Sequence, residues 1–417
     1  MLARISKKAA KYTALATRLK AVNLGQVRVE SYAAFLQGFP SLPVAKFISE
    51  SLVEVARTDG MLHQYSRYMQ TPCNLKKLTR PPASGHVSRV LVLSLPGTPG
   101  ATEAISSTIR ALVDPGDEVI LIQPFYDSYP ACVSMNGGKC VYISMKPKPS
   151  KAAPTSADWV LDMDELRSAV TQKTKLLILN NPHNPVGKVF SRSEMEAIAE
   201  IVREKDILVL VDEVYETLCY DNQEFVKFAS LPGMWERTIS VGSVGKMFGI
   251  TGWKVGWILS SPELTRAIWM VHQYVSFCVA TPLQQVVHTC LEEAQQSGYF
   301  AEMRVQFQRH RDMLYGFLKE AGLTPTMPQA GYFIMANTES MDADLAKTGE
   351  SDPRGRDYAV ATWLTKNRGV TAIPPSAFYD PEDTQSRKDI AEKYVRFAFC
   401  KTMADLEAAK VKLLERK

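Results

Sequence analysis

The sequence predicts an α/β protein with a large domain on a seven-stranded, mostly parallel sheet and a smaller α+β domain. Three observations carry that expectation. From about residue 89, short β-branched runs alternate with longer helical patterns. Those runs are continuously apolar, as strands covered on both faces require. After about residue 285 the alternation gives way to long helical segments around shorter strands.

Seven strands are expected at Arg89–Leu95, Glu118–Gln123, Cys140–Met145, Lys175–Asn180, Ile207–Val211, Arg237–Gly242 and Lys254–Ser260. Amphipathic stretches lie between several of them. Two open on helix-start patterns, Asp162-Met-Asp-Glu165 and Ser191-Arg-Ser-Glu194, which resemble capping boxes that satisfy the first free backbone N–H groups. Further on, helices are expected over about 284–321, 356–368 and 402–416, with strands at Tyr332–Ala336 and Tyr394–Cys400. Polar stretches at 338–355 and 379–390 read as exposed loops. The expected division is 41–290 for the large domain, with 1–40 and 291–417 forming the small one. A chain of 417 residues suits two domains.

Composition excludes several classes. Apolar residues are 46% and charged residues 22% of the chain, ordinary values for a folded protein and unlike disordered or collagenous chains. No apolar run reaches the roughly eighteen residues of a membrane helix. Seven scattered cysteines, never spaced CxxC, suit reduced thiols better than disulfides or structural zinc, so no metal is expected. The net charge of +5 is local: residues 1–29 hold seven basic and no acidic residues, and the remainder holds 42 basic against 44 acidic. A slightly acidic body gives no reason to expect nucleic acid.

Two phosphate-binding patterns fail. Gly242-Ser-Val-Gly-Lys246 lacks the spacing of a P-loop and has Met247 where Ser or Thr belongs, and no GxGxxG occurs. Another constellation fits better. Ligands of open α/β sheets sit beyond the carboxyl ends of the strands. There, four expected strand ends deliver Phe125, Asn184, Asp212 with Tyr215, and Ser243 with Lys246. Singly, each has an ordinary structural explanation. Together they suit pyridoxal phosphate: a lysine amine that bonds the aldehyde, an aspartate that keeps the ring nitrogen protonated, Asn and Tyr for the ring oxygen, and an aromatic stacking face. Gly100-Ala-Thr-Glu opens an amphipathic helix whose N-terminus favours phosphate. Arg396, inside the alternating run Tyr394–Phe399, is placed either for an ion pair or for bidentate capture of a substrate carboxylate.

These residues resemble the fold-type I, class I/II aminotransferases, most of all the kynurenine aminotransferase, glutamine transaminase K and cysteine-S-conjugate β-lyase group. The resemblance rests on Gly100-Ala-Thr-Glu-Ala-Ile, Pro124-Phe-Tyr-Asp-Ser-Tyr, Asn180-Asn-Pro-His-Asn-Pro-Val-Gly-Lys, Asp212-Glu-Val-Tyr-Glu, Thr251-Gly-Trp-Lys-Val-Gly-Trp and Val395-Arg-Phe-Ala-Phe. It implies an enzyme that transfers the amino group of kynurenine, glutamine or another large neutral or aromatic amino acid to an α-keto acid by ping-pong half-reactions. A β-lyase on the same site, or an inactive aminotransferase-like binding protein, are the alternatives. It further implies Lys246 as the Schiff-base lysine and Asp212 at the ring nitrogen. Tyr215 and Asn184 would meet the ring oxygen, Phe125 would stack, and Ala101, Thr102, Ser243 and Lys254 would hold the phosphate. Gly38, Asn184 and Arg396 would receive the substrate carboxylate. Tyr65, in His63-Gln-Tyr-Ser-Arg, would reach the partner subunit's phosphate, which implies a homodimer with composite sites. Cys278 stands where the group has a histidine.

Three departures fall early in the chain. Val27–Gln37 separates Asn23-Leu-Gly-Gln26 from Gly38-Phe-Pro40, residues 69–88 carry helix-breaking prolines, and Leu95-Pro-Gly-Thr-Pro99 interrupts the strand before Gly100. They read as misplaced exon boundaries or as a remodelled substrate entrance, and they predict a displaced phosphate turn. The cytosol is the expected location. The basic, acid-free N-terminus makes the mitochondrion the second choice.

Overall fold

The structure, a computed structural model, describes residues 33–34, 38–58, 60–65, 97–148 and 153–415. Its centre is a seven-stranded sheet of β1 (Gly97–Thr98), β2 (Glu118–Gln123), β3 (Lys139–Ser144), β4 (Thr174–Asn180), β5 (Leu208–Asp212), β6 (Thr238–Ser243) and β7 (Gly256–Leu259). The order is β1-β7-β6-β5-β4-β2-β3. Neighbours from β3 to β6 run parallel, while β7 runs antiparallel to both β6 and β1. The expected first strand, Arg89–Leu95, and the expected break over 69–88 lie outside the described residues, as does 27–37 except for Ala33–Ala34, which pairs parallel with Val370–Thr371.

Continuous apolar strands are buried on both faces because successive side chains point to opposite sides. Ile120, Ile122, Leu177, Leu179, Val209 and Val211 pack with Met195, Ile198 and Val202 of helix Arg192–Glu204. Their neighbours Val119, Leu121, Leu176, Ile178 and Leu210 pack with Ala104, Ile105 and Ile109 of helix Ala101–Leu112 on the other side. The helix at 192 opens on the full capping box: Ser191 Oγ accepts from Glu194 N, and Glu194 Oε2 accepts from Ser191 N. At 162 only half forms. Asp162 accepts from the Asp164 and Glu165 N–H groups, but the Glu165 carboxylate turns to Lys146 Nζ at 3.2 Å.

The expected helix at 284–321 is two helices, Thr281–Ser297 and Tyr299–Glu320. They meet at Gly298, whose φ of 75° ends the first. The segment 356–368 begins as the α-helix Arg356–Trp363 and finishes in a π-helical turn, Leu364–Arg368. A three-stranded antiparallel sheet places Thr324–Pro325, β8 (Phe333–Asn337) and β9 (Tyr394–Ala398) side by side. Phe307, Leu314 and Phe317 of helix Tyr299–Glu320, with Leu406 and Leu413 of helix Met403–Leu414, cover this sheet in a shared core. Tyr215 and Leu218, from the loop after β5, join the same core, so the lead-out of a large-sheet strand packs directly on the C-terminal part. No helix among the described residues is long and apolar enough to cross a membrane.

Candidate active site

The carboxyl ends of β2, β4, β5 and β6 open onto two adjoining cavities. The smaller, about 150 Å³, is lined by Gly100, Ala101, Thr102, Asp212, Ser243 and Lys254, among others. The larger, about 460 Å³, is lined by Gly38, Phe39, Asp127, Phe333, Tyr358, Phe378 and Arg396, among others. Tyr126, Asn184, Tyr215, Lys246 and Thr251 line both.

The smaller cavity is polar at its floor and rim. Asp212 ends β5, where Tyr129 Oη donates to its Oδ2 at 2.6 Å and the Val214 N–H donates to Oδ1 at 3.3 Å. Burial raises the Asp212 carboxyl above the usual range, and Tyr129, the backbone and Lys246 offset part of that rise. A cationic ring nitrogen beside it would restore the charged form. Asn180 Nδ2 donates to the Asp212 carbonyl at 2.9 Å, and Asn180 Oδ1 accepts from the Asn184 N–H at 2.6 Å. One amide thus fixes the spacing of two strand ends.

At the opposite wall, helix Ala101–Leu112 points its N-terminus into the cavity. Gly100 holds φ at 78°, a backbone region that side chains disfavour. A Cβ on Gly256 would come within 3.0 Å of the Gly242 carbonyl, the Gly100 carbonyl carbon and Ala101 N, so glycine lets this turn lie directly on β7. Ser243 Oγ accepts from Gly245 N at 3.2 Å and caps the short helix Val244–Met247 that carries Lys246. Backbone N–H groups, a helix dipole, Ser243 and Lys254 line this wall together, a set of groups that could hold a phosphate. The displaced turn expected from Leu95–Pro99 is therefore not found: Gly97 and Thr98 pair with Trp257 and Gly256, and this register seats Gly100 against β7.

Lys246 Nζ donates to Tyr332 Oη at 2.8 Å and to the Gly38 carbonyl at 3.1 Å. Burial lowers its amine to about 8, with nearby Arg396 and Lys254 pushing the same way. An amine so adjusted is available as a nucleophile and proton carrier near neutral pH.

Arg396, on β9, is buried and reaches the larger cavity. Its Nη1 donates to Asn184 Oδ1 at 3.1 Å, and its guanidinium lies 4.0 Å from the Phe333 ring centre and 4.8 Å from that of Phe378. Nε has no hydrogen-bond partner among the described residues. Burial brings its basicity down to about 10. No ion pair among the described residues includes Arg396, so of the two sequence readings the geometry favours the carboxylate fork.

Two expectations need correction or relocation. Phe125 does not face the cavity that holds Lys246. It is buried against Tyr142, with ring centres 5.5 Å apart, while its N–H donates to the Phe378 carbonyl at 2.9 Å. Tyr126 lines both cavities instead. The two neighbours point opposite ways as β2 ends, and sequence order alone did not decide which faced inward. Tyr65 lines neither cavity of its own chain. It is 79% exposed, its ring edge-on to Phe277 at 5.1 Å. Sequence reasoning missed Tyr129, Asn180 and Tyr332. The first two sit inside motifs already singled out, whereas Tyr332 has no sequence mark.

The residues fit pyridoxal phosphate. A small cavity presents a helix N-terminus and Lys254 at one end and a desolvated carboxylate at the other, with Lys246 between them. Residues 60–410 match the aminotransferase class I and II family. The chain is 39% identical to a kynurenine–oxoglutarate transaminase of Dictyostelium discoideum, over 97% of this chain and 93% of that one. It is 38% identical to human kynurenine–oxoglutarate transaminase 3, over 95% and 85%. The solved structure of Bna3p from Saccharomyces cerevisiae superposes with a TM-score of 0.85 at 31% identity, covering 99% of this chain and 96% of that one. The chain belongs to the class I and II aminotransferases, enzymes that work with pyridoxal phosphate on a fold-type I scaffold.

Proposed function

We propose that the protein transfers the amino group of L-kynurenine, or another large neutral or aromatic amino acid, to an α-keto acid. The observation that carries this is the larger cavity: Arg396 at one end, and walls of Phe39, Phe333, Tyr358, Ile373 and Phe378. A guanidinium with Asn184 beside it suits an α-carboxylate, and aromatic walls suit a planar side chain. The names of the relatives support the same donor.

When bound, pyridoxal phosphate supplies an aldehyde that takes up the amino group and a ring that accepts the electrons of the breaking Cα–H bond. The chain's residues do the rest. Ala101, Thr102, Ser243 and Lys254 hold the phosphate. Asp212 keeps the ring nitrogen protonated, and Tyr215 and Asn184 hold the ring oxygen. Arg396 fixes the carboxylate, so the Cα proton faces Lys246. The Lys246 amine would take up that proton and give it back across the nitrogen, at the carbon that had carried the aldehyde.

A homodimer completes this reading. Tyr65, Met270, Tyr274 and Phe277 are exposed, and an apolar surface of this kind suits a second copy. Sedimentation at micromolar concentration should give twice the chain mass, and a monomer would refute it. The cytosol is the proposed location. Residues 1–29 fused to a fluorescent protein should leave it there, and mitochondrial import would overturn that. The central test supplies kynurenine with an α-keto acid and follows kynurenate by absorbance. Turnover with phenylalanine or glutamine but none with kynurenine would remove kynurenine and leave the aminotransferase.

A further inference from the structure

We propose that Tyr332 is a positioning residue for Lys246: its hydroxyl and the Gly38 carbonyl form a seat that holds the lysine amine whenever the amine is not bonded to the cofactor. The inference rests on the aminotransferase site and not on kynurenine as donor.

The three groups close a triangle. Nζ lies 2.8 Å from Tyr332 Oη and 3.1 Å from the Gly38 oxygen, and Tyr332 Oη lies 2.8 Å from that same oxygen. A tyrosine hydroxyl has one hydrogen, and donating it to the carbonyl turns its lone pairs toward Nζ. The carbonyl uses its two lone pairs on Tyr332 and Lys246. Two of the three hydrogens of a lysine ammonium therefore meet acceptors that are already tied to each other. The ammonium also lies 5.4 Å from the Tyr332 ring centre, within cation–π range.

The seat is rigid. Tyr332 is fully buried. Its ring meets Tyr215 edge-on at 5.1 Å and Phe333 at 4.9 Å, with Phe307 at 6.2 Å. Its parts come from distant stretches of chain: Lys246 from the turn after β6, Tyr332 from the residue before β8, Gly38 from the N-terminal region. A flexible four-carbon stem would otherwise leave the amine free to wander. Lysine freed by an incoming amino donor goes to one place, with its protons directed, and returns from there.

Because both acceptors favour the ammonium, the seat also sets the pH at which the lysine gives up its proton. The groups facing Nζ are Asp212, Tyr215, Lys254, Tyr332, Arg396 and Cys400. Tyr332→Phe changes only one of them, by a single oxygen within a ring cluster. The test follows the rate at which wild-type and Tyr332→Phe apoenzymes recombine with pyridoxal phosphate, by absorbance, from about pH 6 to 10. Only the neutral amine attacks the aldehyde. The midpoint should move to lower pH by about 0.5–1 unit in the variant, the worth of one hydrogen bond to a charged group. An unmoved midpoint overturns the proposal, and so does a drop in melting temperature unaccompanied by a midpoint shift. Should Tyr332→Phe fail to fold, 3-fluorotyrosine at position 332, a weaker acceptor of the same shape, must move the midpoint in the same direction; no movement overturns the proposal. No amino donor enters this experiment, so failure of the kynurenine reading leaves its outcome intact.

Discussion

Replacing Lys246 by methionine should make the cofactor-free protein more stable near neutral pH. The lysine amine is lowered to about 8 from an ordinary 10.5, chiefly by burial. Each unit corresponds to about 1.4 kcal/mol, so holding the ammonium in the folded site costs about 3 kcal/mol. Two terms reduce this. The amine retains some solvent contact, which screens part of the penalty, and its two hydrogen bonds return about 1 kcal/mol each. The loss of those bonds leaves no orphan, because Tyr332 Oη still donates to the Gly38 carbonyl at 2.8 Å. Methionine matches the stem in length and carries no charge to desolvate. The net gain should be at most about 1 kcal/mol. Its pH dependence follows from the lowered amine. Below about pH 8 both folded and unfolded wild-type chains carry the proton, and the folded state bears the full penalty. Between about 8 and 10.5 the folded state releases its proton first, wild-type stability rises, and the advantage of methionine shrinks to nothing. Denaturant unfolding of both apoproteins at neutral and alkaline pH measures this difference. A variant less stable than wild type at pH 7, or a difference that does not change with pH, would refute the reasoning.

Other substitutions separate the roles of individual side chains. Arg396→Ala should raise KM for amino donor and keto acid about 10–100-fold, the worth of one charge-assisted pair. Arg396→Lys should recover little, since an ammonium cannot make the fork, and steady-state kinetics on both variants checks this. Tyr126→Leu should weaken pyridoxal phosphate binding by about 1 kcal/mol through loss of ring stacking. Phe125→Leu should lower the melting temperature and leave cofactor affinity alone, and a cofactor titration showing the reverse would restore Phe125 to the site. Gly256→Ala should push the phosphate turn off β7, lowering stability by about 1–3 kcal/mol and loosening the cofactor together. Equilibrium dialysis and thermal unfolding report the two effects.

Much of the fold was legible because its causes are local. Strands buried on both faces must be apolar throughout, so Glu118–Gln123 was placed to the residue and the five expected strands after it to within one or two positions. The Ser191 capping box was read correctly because both partners lie within one helical turn. The Asp162 box was read too generously, since Lys146, from another strand, competes for Glu165. Helix breaks at Gly298 and the π-turn at Leu364–Arg368 were missed, as the apolar spacing runs across both.

The site divides along the same line. The sequence alone determined which strand ends carry chemistry, because parallel strands deliver their carboxyl ends to one edge and the Lys246, Asp212 and Asn184 motifs follow directly on those ends. Tertiary structure decided what depends on direction and on distant partners. It turned Tyr126 rather than Phe125 inward, since the twist of the chain leaving β2 is set by packing against Phe378 and Tyr142. It joined Tyr129 to Asp212 across the sheet edge. It also brought Tyr332 and Gly38 to Lys246 from 86 and 208 residues away in the chain. A hydrogen bond needs partners within about 3 Å, and over such separations only the folded chain specifies that distance.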